Sequence, residues 1–321
     1  VTRVHEQPRQ QLVYGCMGLG GSWDPTPYDR HDVAVAEAAV GAALEIGIRT
    51  FDHADIYRSG KAESVFGEIL HGDPGLRDTI TVQTKCGIRV GESGLGVHYD
   101  LRPASIVERV RASVGRLQVD HVDTLLLHRP DPLARPEQVA EALTSLHAEG
   151  LVRSVGVSNM SAAQMAALQR HLDLPLVVNQ LELSLAKRDW VESEVLVNGD
   201  QAIAHDFPAG TLEHCAQEGV SVQSWGALAR GAYSGADLSA ASPADRATAE
   251  LVTALAGTYG TTAEAVVLGW LTKHPAAVSP VVGTTDPARI RACADALAVG
   301  DRLTQVDWYR LFATARGQDV P

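Results

Sequence analysis

The chain lacks the material for several kinds of protein. Its 321 residues include only four cysteines, at positions 16, 86, 215 and 293. They are too scattered for a zinc-ligand pattern and too few for a disulfide framework in a chain of this size. No run of about 18 apolar residues occurs, the minimum for a membrane-spanning helix. The start, residues 1–8, is polar, so no signal peptide is expected there. Positive charge is also scarce: 27 Lys and Arg face 39 Asp and Glu, for a net charge of −12. The charge is spread rather than blocked, which favours solubility and argues against nucleic acid as a partner. A reducing, cytoplasmic setting without membrane contact is expected, and nothing in the sequence specifies an oligomeric state.

What the chain does have is alternation. Period-2 or continuously apolar runs predict strands over 12–17, 48–52, 79–84, 121–127, 152–157, 176–179, 220–224 and 277–282. Period-3.6 segments predict helices over 32–46, 61–70, 103–117, 136–149, 161–171, 210–218, 247–258, 262–274 and 286–298. Runs such as Thr124-Leu125-Leu126-Leu127 suit strands buried on both faces. Eight strands each followed by helix predict an α/β fold. The form expected is a closed (β/α)8 TIM barrel filling residues 1–321 as one domain, with a lead-in segment before the first strand and an extra C-terminal segment. An open doubly wound sheet is the runner-up. Its dinucleotide fingerprint is missing, because Gly18-Leu19-Gly20-Gly21 leads into Ser22-Trp23-Asp24-Pro25 instead of a helix. Residues 182–208 show neither period and are expected to form a functional loop or flap with short irregular pieces.

In a barrel of this kind the strand ends carry the chemistry. Successive strands deliver Asp52 with Tyr57, then Lys85, His128, Ser158-Asn159, Gln180 and Trp225. A lysine ammonium beside a tyrosine favours the phenolate, an aspartate keeps that lysine charged and aimed, and a histidine can hydrogen-bond a carbonyl oxygen. This is apparatus for protonating an alkoxide while a cofactor delivers hydride to carbon. Each residue alone has a plainer role: Lys85 as a snorkelling surface lysine, His128 in a turn, Ser158-Asn159 as a helix cap, Gln180 satisfying backbone, and Trp225 and Cys86 in the core. Together they point to carbonyl chemistry.

The motifs Phe51-Asp52-His53-Ala54-Asp55-Ile56-Tyr57, Thr84-Lys85, Leu125-Leu126-Leu127-His128-Arg129-Pro130, Gly156-Val157-Ser158-Asn159 and Asn179-Gln180 resemble the aldo-keto reductase family over nearly the whole chain. The resemblance implies Tyr57 as general acid, Lys85 as its tuning residue, Asp52 as partner of Lys85, and His128 orienting the carbonyl. It implies NADP(H) as cofactor. Ser158, Asn159 and Gln180 would hold the nicotinamide carboxamide and Trp225 would stack on the ring, where familiar members have Tyr. Gly226, Leu228 and Arg230 complete the implied cofactor contacts after the seventh strand. Thr284 and Arg289 fall where the family grips the adenosine 2′-phosphate, and Gly283 stands where many members place a basic residue. His128-Arg129-Pro130-Asp131-Pro132 and the ending Thr304 to Tyr309 look most like a bacterial branch.

Competing barrel chemistries fit less well. Asp52, His53, Asp55 and His128 could be drafted as metal ligands, but the spacing is wrong and Lys85 would repel a cation. A glycosidase needs two carboxyl groups across a cleft, and only Asp52 and Asp55 are close in sequence. A cofactor-binding regulatory subunit with little turnover is the alternative from a different class. The substrate, a small carbonyl compound or alcohol, is expected to be set by the loops 23–29, 129–135, 182–208 and 228–241 and the C-terminal segment, with Trp23 and Trp190 as expected pocket walls.

Overall fold

The computed structural model describes residues 10–91 and 94–321, and of Ile203 the backbone alone; the polar lead-in, residues 1–9, lies outside the described residues. Eight strands follow in chain order: β1 (Val13–Gly15), β2 (Thr50–Asp52), β3 (Thr81–Cys86), β4 (Val122–Leu127), β5 (Val152–Ser158), β6 (Leu176–Glu182), β7 (Ser221–Trp225) and β8 (Ser279–Val282). They close into a barrel in the order β1-β8-β7-β6-β5-β4-β3-β2. The connecting helices begin where local chemistry tells them to. Asp29 and Asp32 form a capping box for Arg30–Glu45 and Ser161 and Gln164 one for Ala162–Gln169, while Pro opens Pro103–Leu117 and Pro136–Ala148.

The contacts divide the chain into two compact units. The first comprises Val13–Gln180 and Gly283–Pro287. In it Gly15 is level with Asp52, and Asp52 with Gln83. Because side chains alternate along a strand, Gln83 and Lys85 lie on one face of β3, the face that Asp52 meets. Behind this face runs a buried ionic layer. Arg109, on Pro103–Leu117, reaches Asp55 at 2.9 Å, and Arg116 on the same helix reaches Glu63 at 2.7 Å. Thr84 Oγ1 donates to Glu63 at 2.6 Å. An antiparallel pair, Ile88–Val90 with Val97–Tyr99, follows β3 outside the expected strands.

The second unit comprises Leu181–Val282 and Ala288–Pro321, with the described part of the lead-in up to Leu12. Its C-terminal helix, Gln305–Arg316, is tied down by a reciprocal pair. Trp270 Nε1 donates to Trp308 O at 3.1 Å, and Trp308 Nε1 donates to Trp270 O at 2.9 Å. The two rings stack with centroids 5.0 Å apart. Arg316 meets the buried carboxylate of Glu192 at 2.7 Å. Gln10 Nε2 holds the lead-in by donating to Thr272 O and Val278 O, each at 2.9 Å.

Several boundaries differ from expectation for physical reasons. The third strand starts at Thr81 and runs through Lys85, because a short helix, Pro74–Arg77, ends in a turn that takes up Thr79. Residues 182–208 contain the helix Asp189–Val195 and the 3₁₀ turn Asp200–Ala204, each too short to register as a period. The expected helix over 286–298 is two pieces, Pro287–Arg291 and Ala296–Arg302. Among the described residues no single helix is long and apolar enough to cross a membrane.

Candidate active site

Three backbone hydrogen bonds assemble the first unit's rim. After β2, His53 N donates to Gln83 O and Asp55 N to Lys85 O, while His128 N donates to Cys86 O at the end of β3. The chain then turns, with Tyr57 N donating to Ala54 O. That turn swings the phenol back over β3. Lys85 Nζ lies 2.7 Å from both carboxylate oxygens of Asp52, 2.9 Å from His53 O and 3.1 Å from the Tyr57 hydroxyl. An ammonium has three hydrogens and here has four acceptors, so the carboxylate pair shares. Lys85 is 1% exposed, which rules out the snorkelling role.

The electrostatics follow from this burial. Taking Lys85 out of water works against its charge, but Asp52 and then Tyr57 outweigh that and hold it above its ordinary value. Burial raises the Tyr57 phenol, and the pull of Lys85 toward phenolate is opposed further by Asp52; the net shift is upward. The expectation that Lys85 leaves Tyr57 more acidic than a free phenol is therefore corrected: desolvation wins, and Tyr57 stays protonated at neutral pH. Burial, Lys85 and Arg129 push His128 well below the ordinary imidazole value, so it is neutral. Its ring meets Tyr57 edge-on at 6.0 Å, and its buried Nδ1 has no partner among the described residues. His53 is driven down to about 3 by burial and by Lys85, and packs on Phe66.

Two supports escaped the sequence reading. Gln83 Nε2 donates to Asp52 Oδ1 at 2.6 Å; its place two residues before Lys85, on the same strand face, was the available signal. Asp55, 5% exposed, is paired with Arg109 behind the Tyr57 turn. Cys86 is buried and its thiol is raised by burial, so it serves packing. Among the described residues no three His, Cys, Asp or Glu side chains group as metal ligands.

Of the residues implied to touch cofactor, Ser158, Asn159 and Gln180 form a tight cluster in the first unit. Ser158 Oγ donates to Gln180 O at 2.9 Å and Asn159 Nδ2 to Ser158 Oγ at 2.7 Å, with Asn159 held at φ 58°. In the same unit Thr284 O accepts from Tyr14, and Gly283 is exposed with open space where a Cβ would stand. In the second unit Trp225 ends β7 half-buried and leads to Gly226 at φ 69°. Leu228 then takes a near-right-handed conformation and Ala229 and Arg230 left-handed ones. Within that turn Ala229 N donates to Gly226 O at 2.8 Å and Gly231 N to Leu228 O at 2.7 Å. Arg289 Nη2 donates to Ser234 Oγ at 3.2 Å and Nε lies 3.5 Å from Glu264.

The two expected pocket walls part company. Trp23 is half exposed, with the Arg58 guanidinium 5.0 Å from its ring. Trp190 is 1% exposed, edge-on against Trp270 and His274 inside the second unit. Trp190 lies on the helix Asp189–Val195, buried beside a cavity that Phe207 and Leu212 also line.

The description "Aldo/keto reductase family" matches residues 11–314. The chain is 37% identical over 320 residues to 6-dehydroglucose reductase of Agrobacterium fabrum, covering 97% of this chain and 95% of that one. It is 35% identical over 308 residues to the uncharacterized oxidoreductase YcsN of Bacillus subtilis, covering 94% and 95%. Among solved structures, the glycerol dehydrogenase AKR11B4 of Gluconobacter oxydans superposes with a TM-score of 0.77 at 25% identity, covering 99% and 95%. The barrel, the motif-bearing strand ends and these likenesses agree: the chain is an oxidoreductase belonging to the aldo/keto reductase family.

Proposed function

We propose that the chain reduces an aldehyde or ketone to the alcohol with NADPH, Tyr57 supplying the proton. The observation that carries this is the buried Lys85 ammonium, 3.1 Å from the Tyr57 hydroxyl and 2.7 Å from both Asp52 oxygens. The bound nicotinamide supplies hydride to the carbonyl carbon. Tyr57, protonated because burial raises it, gives its proton to the carbonyl oxygen and recovers one from solvent. Lys85 stabilises the phenolate left between those two events, and Asp52 and Gln83 keep Lys85 aimed. Neutral His128 hydrogen-bonds the carbonyl oxygen without competing as an acid.

Ser158, Asn159 and Gln180 would hold the carboxamide and Trp225 would stack on the ring. The backbone around Leu228, with Gly226 and Arg230, would take the pyrophosphate, and Thr284 and Arg289 the 2′-phosphate. The name of the Agrobacterium fabrum relative supports sugar-derived aldehydes as first substrates to try. Residues 1–321 would act as one domain, which a family match over 11–314 supports, working in a reducing cytoplasm with the four cysteines free. The test is NADPH oxidation followed by absorbance across aldehydes, ketones, quinones and sugars. Turnover of a carbonyl panel supports the reading; tight NADPH binding without turnover of any member would favour a cofactor-sensing protein instead.

A further inference from the structure

The turn after Tyr57 carries an unusual backbone. Arg58 (φ 52°, ψ 36°) and Ser59 (φ 58°, ψ 38°) are both left-handed, followed by Gly60 at φ 87°. A side chain in that region costs about 1 kcal/mol or more per residue, and only glycine escapes it. A side chain at the following residue would be strained by the same left-handed φ, and its Cβ would stand 2.9 Å from Arg116 Cδ, which would have to move. The strain has a visible result. It throws the Arg58 side chain back across the rim toward the end of β1, where Nε donates to Met17 O at 3.2 Å and the guanidinium carbon sits 5.0 Å from the Trp23 ring.

The partner loop is built to receive it. Lys61 Nζ donates to Asp24 O at 3.0 Å and to Thr26 O at 2.7 Å. The Asp24 carboxylate, the acid next to Trp23, accepts from Ser22 Oγ at 2.8 Å and Thr26 N at 2.9 Å within its own loop. No described carboxylate pairs with Arg58. Of its five N–H donors, one is used by the protein. In a chain with 39 acidic and 27 basic residues, a guanidinium carried by the residue after Tyr57, fixed between Met17 and Trp23 and left without an acid, is oriented for an acid that arrives from outside.

We infer that Arg58, steadied on Trp23, is a specificity-determining residue that binds a carboxylate carried by the carbonyl substrate, so that the substrate class is aldehydes or ketones bearing a distal acid group. This rests on the carbonyl-reduction reading above. A planar guanidinium takes a carboxylate through two parallel N–H donors, which a neutral polar group cannot match in strength. Cation–π contact with Trp23 fixes the plane without using those donors.

The test compares para-carboxybenzaldehyde with its para-carboxamide, an uncharged partner of similar size, using NADPH. The wild type is expected to favour the carboxylate in kcat/KM by about tenfold, as one charge-assisted contact supplies. Arg58→Gln, which keeps the same backbone strain, should bring the ratio near one by raising KM for the carboxylate, and Arg58→Lys should restore part of it. A wild-type ratio at or below one, or a ratio unmoved by Arg58→Gln, overturns the inference while leaving carbonyl reduction standing. Failure of both aldehydes to turn over would instead sink carbonyl reduction itself, and this inference with it.

Discussion

Gln83 donates to Asp52 across 2.6 Å, on the same oxygen that Lys85 approaches at 2.7 Å. The carboxylate is therefore positioned from two sides, and its loss should be partly buffered. Lys85→Met should lower carbonyl reduction by about 100-fold or more, the usual cost of a positioned electrostatic partner, whereas Asp52→Asn should cost less because Lys85 remains. Steady-state kinetics on a purified, folded pair decide this; greater damage from Asp52→Asn would reverse the roles given to the two.

Tyr57→Phe should abolish reduction while NADPH affinity, read by fluorescence titration, is retained. In the proposed reaction the phenol would contribute only a proton, and the groups assigned to the cofactor lie elsewhere. A Phe variant with most of the wild-type turnover would remove Tyr57 as the acid.

The direction of the Tyr57 shift adds a pH test. Tyr57 and Lys85 are both raised and His128 is lowered, so none of the three changes charge between about pH 7 and about pH 9. With an uncharged aldehyde, kcat/KM should be flat over that span. Since Lys85 pulls Tyr57 downward, the alkaline limb of Lys85→Met should lie at higher pH than that of the wild type. A limb displaced to lower pH would contradict the charge arrangement.

Asp55 sets a stability test of opposite sense to most carboxylates. Burial outweighs Arg109 and raises Asp55 to about 6. A folded value above the unfolded one means the folded state holds the proton more tightly. The contribution is full below about pH 4 and is lost as pH rises through about 6, amounting to at most about 3 kcal/mol. The melting temperature of the wild type should therefore fall relative to that of Asp55→Asn as pH rises from 4 to 6. A difference that does not vary with pH would mean Asp55 is ionised throughout.

Cofactor preference turns on residues 283 to 289. Arg289 already serves Ser234 and Glu264, and Gly283 offers no charge, so NADPH should be preferred over NADH by only about tenfold, the worth of one charge-assisted contact. Arg289→Ala should remove most of that preference. Gly283→Lys should enlarge it, since a Cβ there meets nothing within 4 Å. Measuring kcat/KM with both cofactors for the three proteins checks the pair; an unchanged preference in Arg289→Ala would take that residue out of the site.

The alternation of strand and helix was legible because each barrel strand is buried on both faces and each helix presents one apolar side. Asp52, Tyr57, Lys85 and His128 could be picked out because polar residues at the ends of apolar runs are conspicuous. Gln83 was not, since it lies inside a strand and its meaning depends on register with Asp52, a long-range pairing no local pattern encodes. The burial of Trp190 was hidden for a related reason. In a segment without a clear period its side could not be assigned, and only the tertiary fold shows that Asp189–Val195 turns it inward. The net direction of the Tyr57 shift was equally hidden, because burial depth is a property of the assembled rim.

The reciprocal Trp270–Trp308 pair has an optical consequence. Two indoles stacked 5.0 Å apart and nearly parallel at 11° couple their transitions, which should give a split band in circular dichroism that isolated indoles lack. With Trp190 edge-on to Trp270, three of the five tryptophans form one chromophore cluster around the C-terminal helix. Loss of that band during unfolding would time the release of Gln305–Arg316, independently of the emission from half-exposed Trp23.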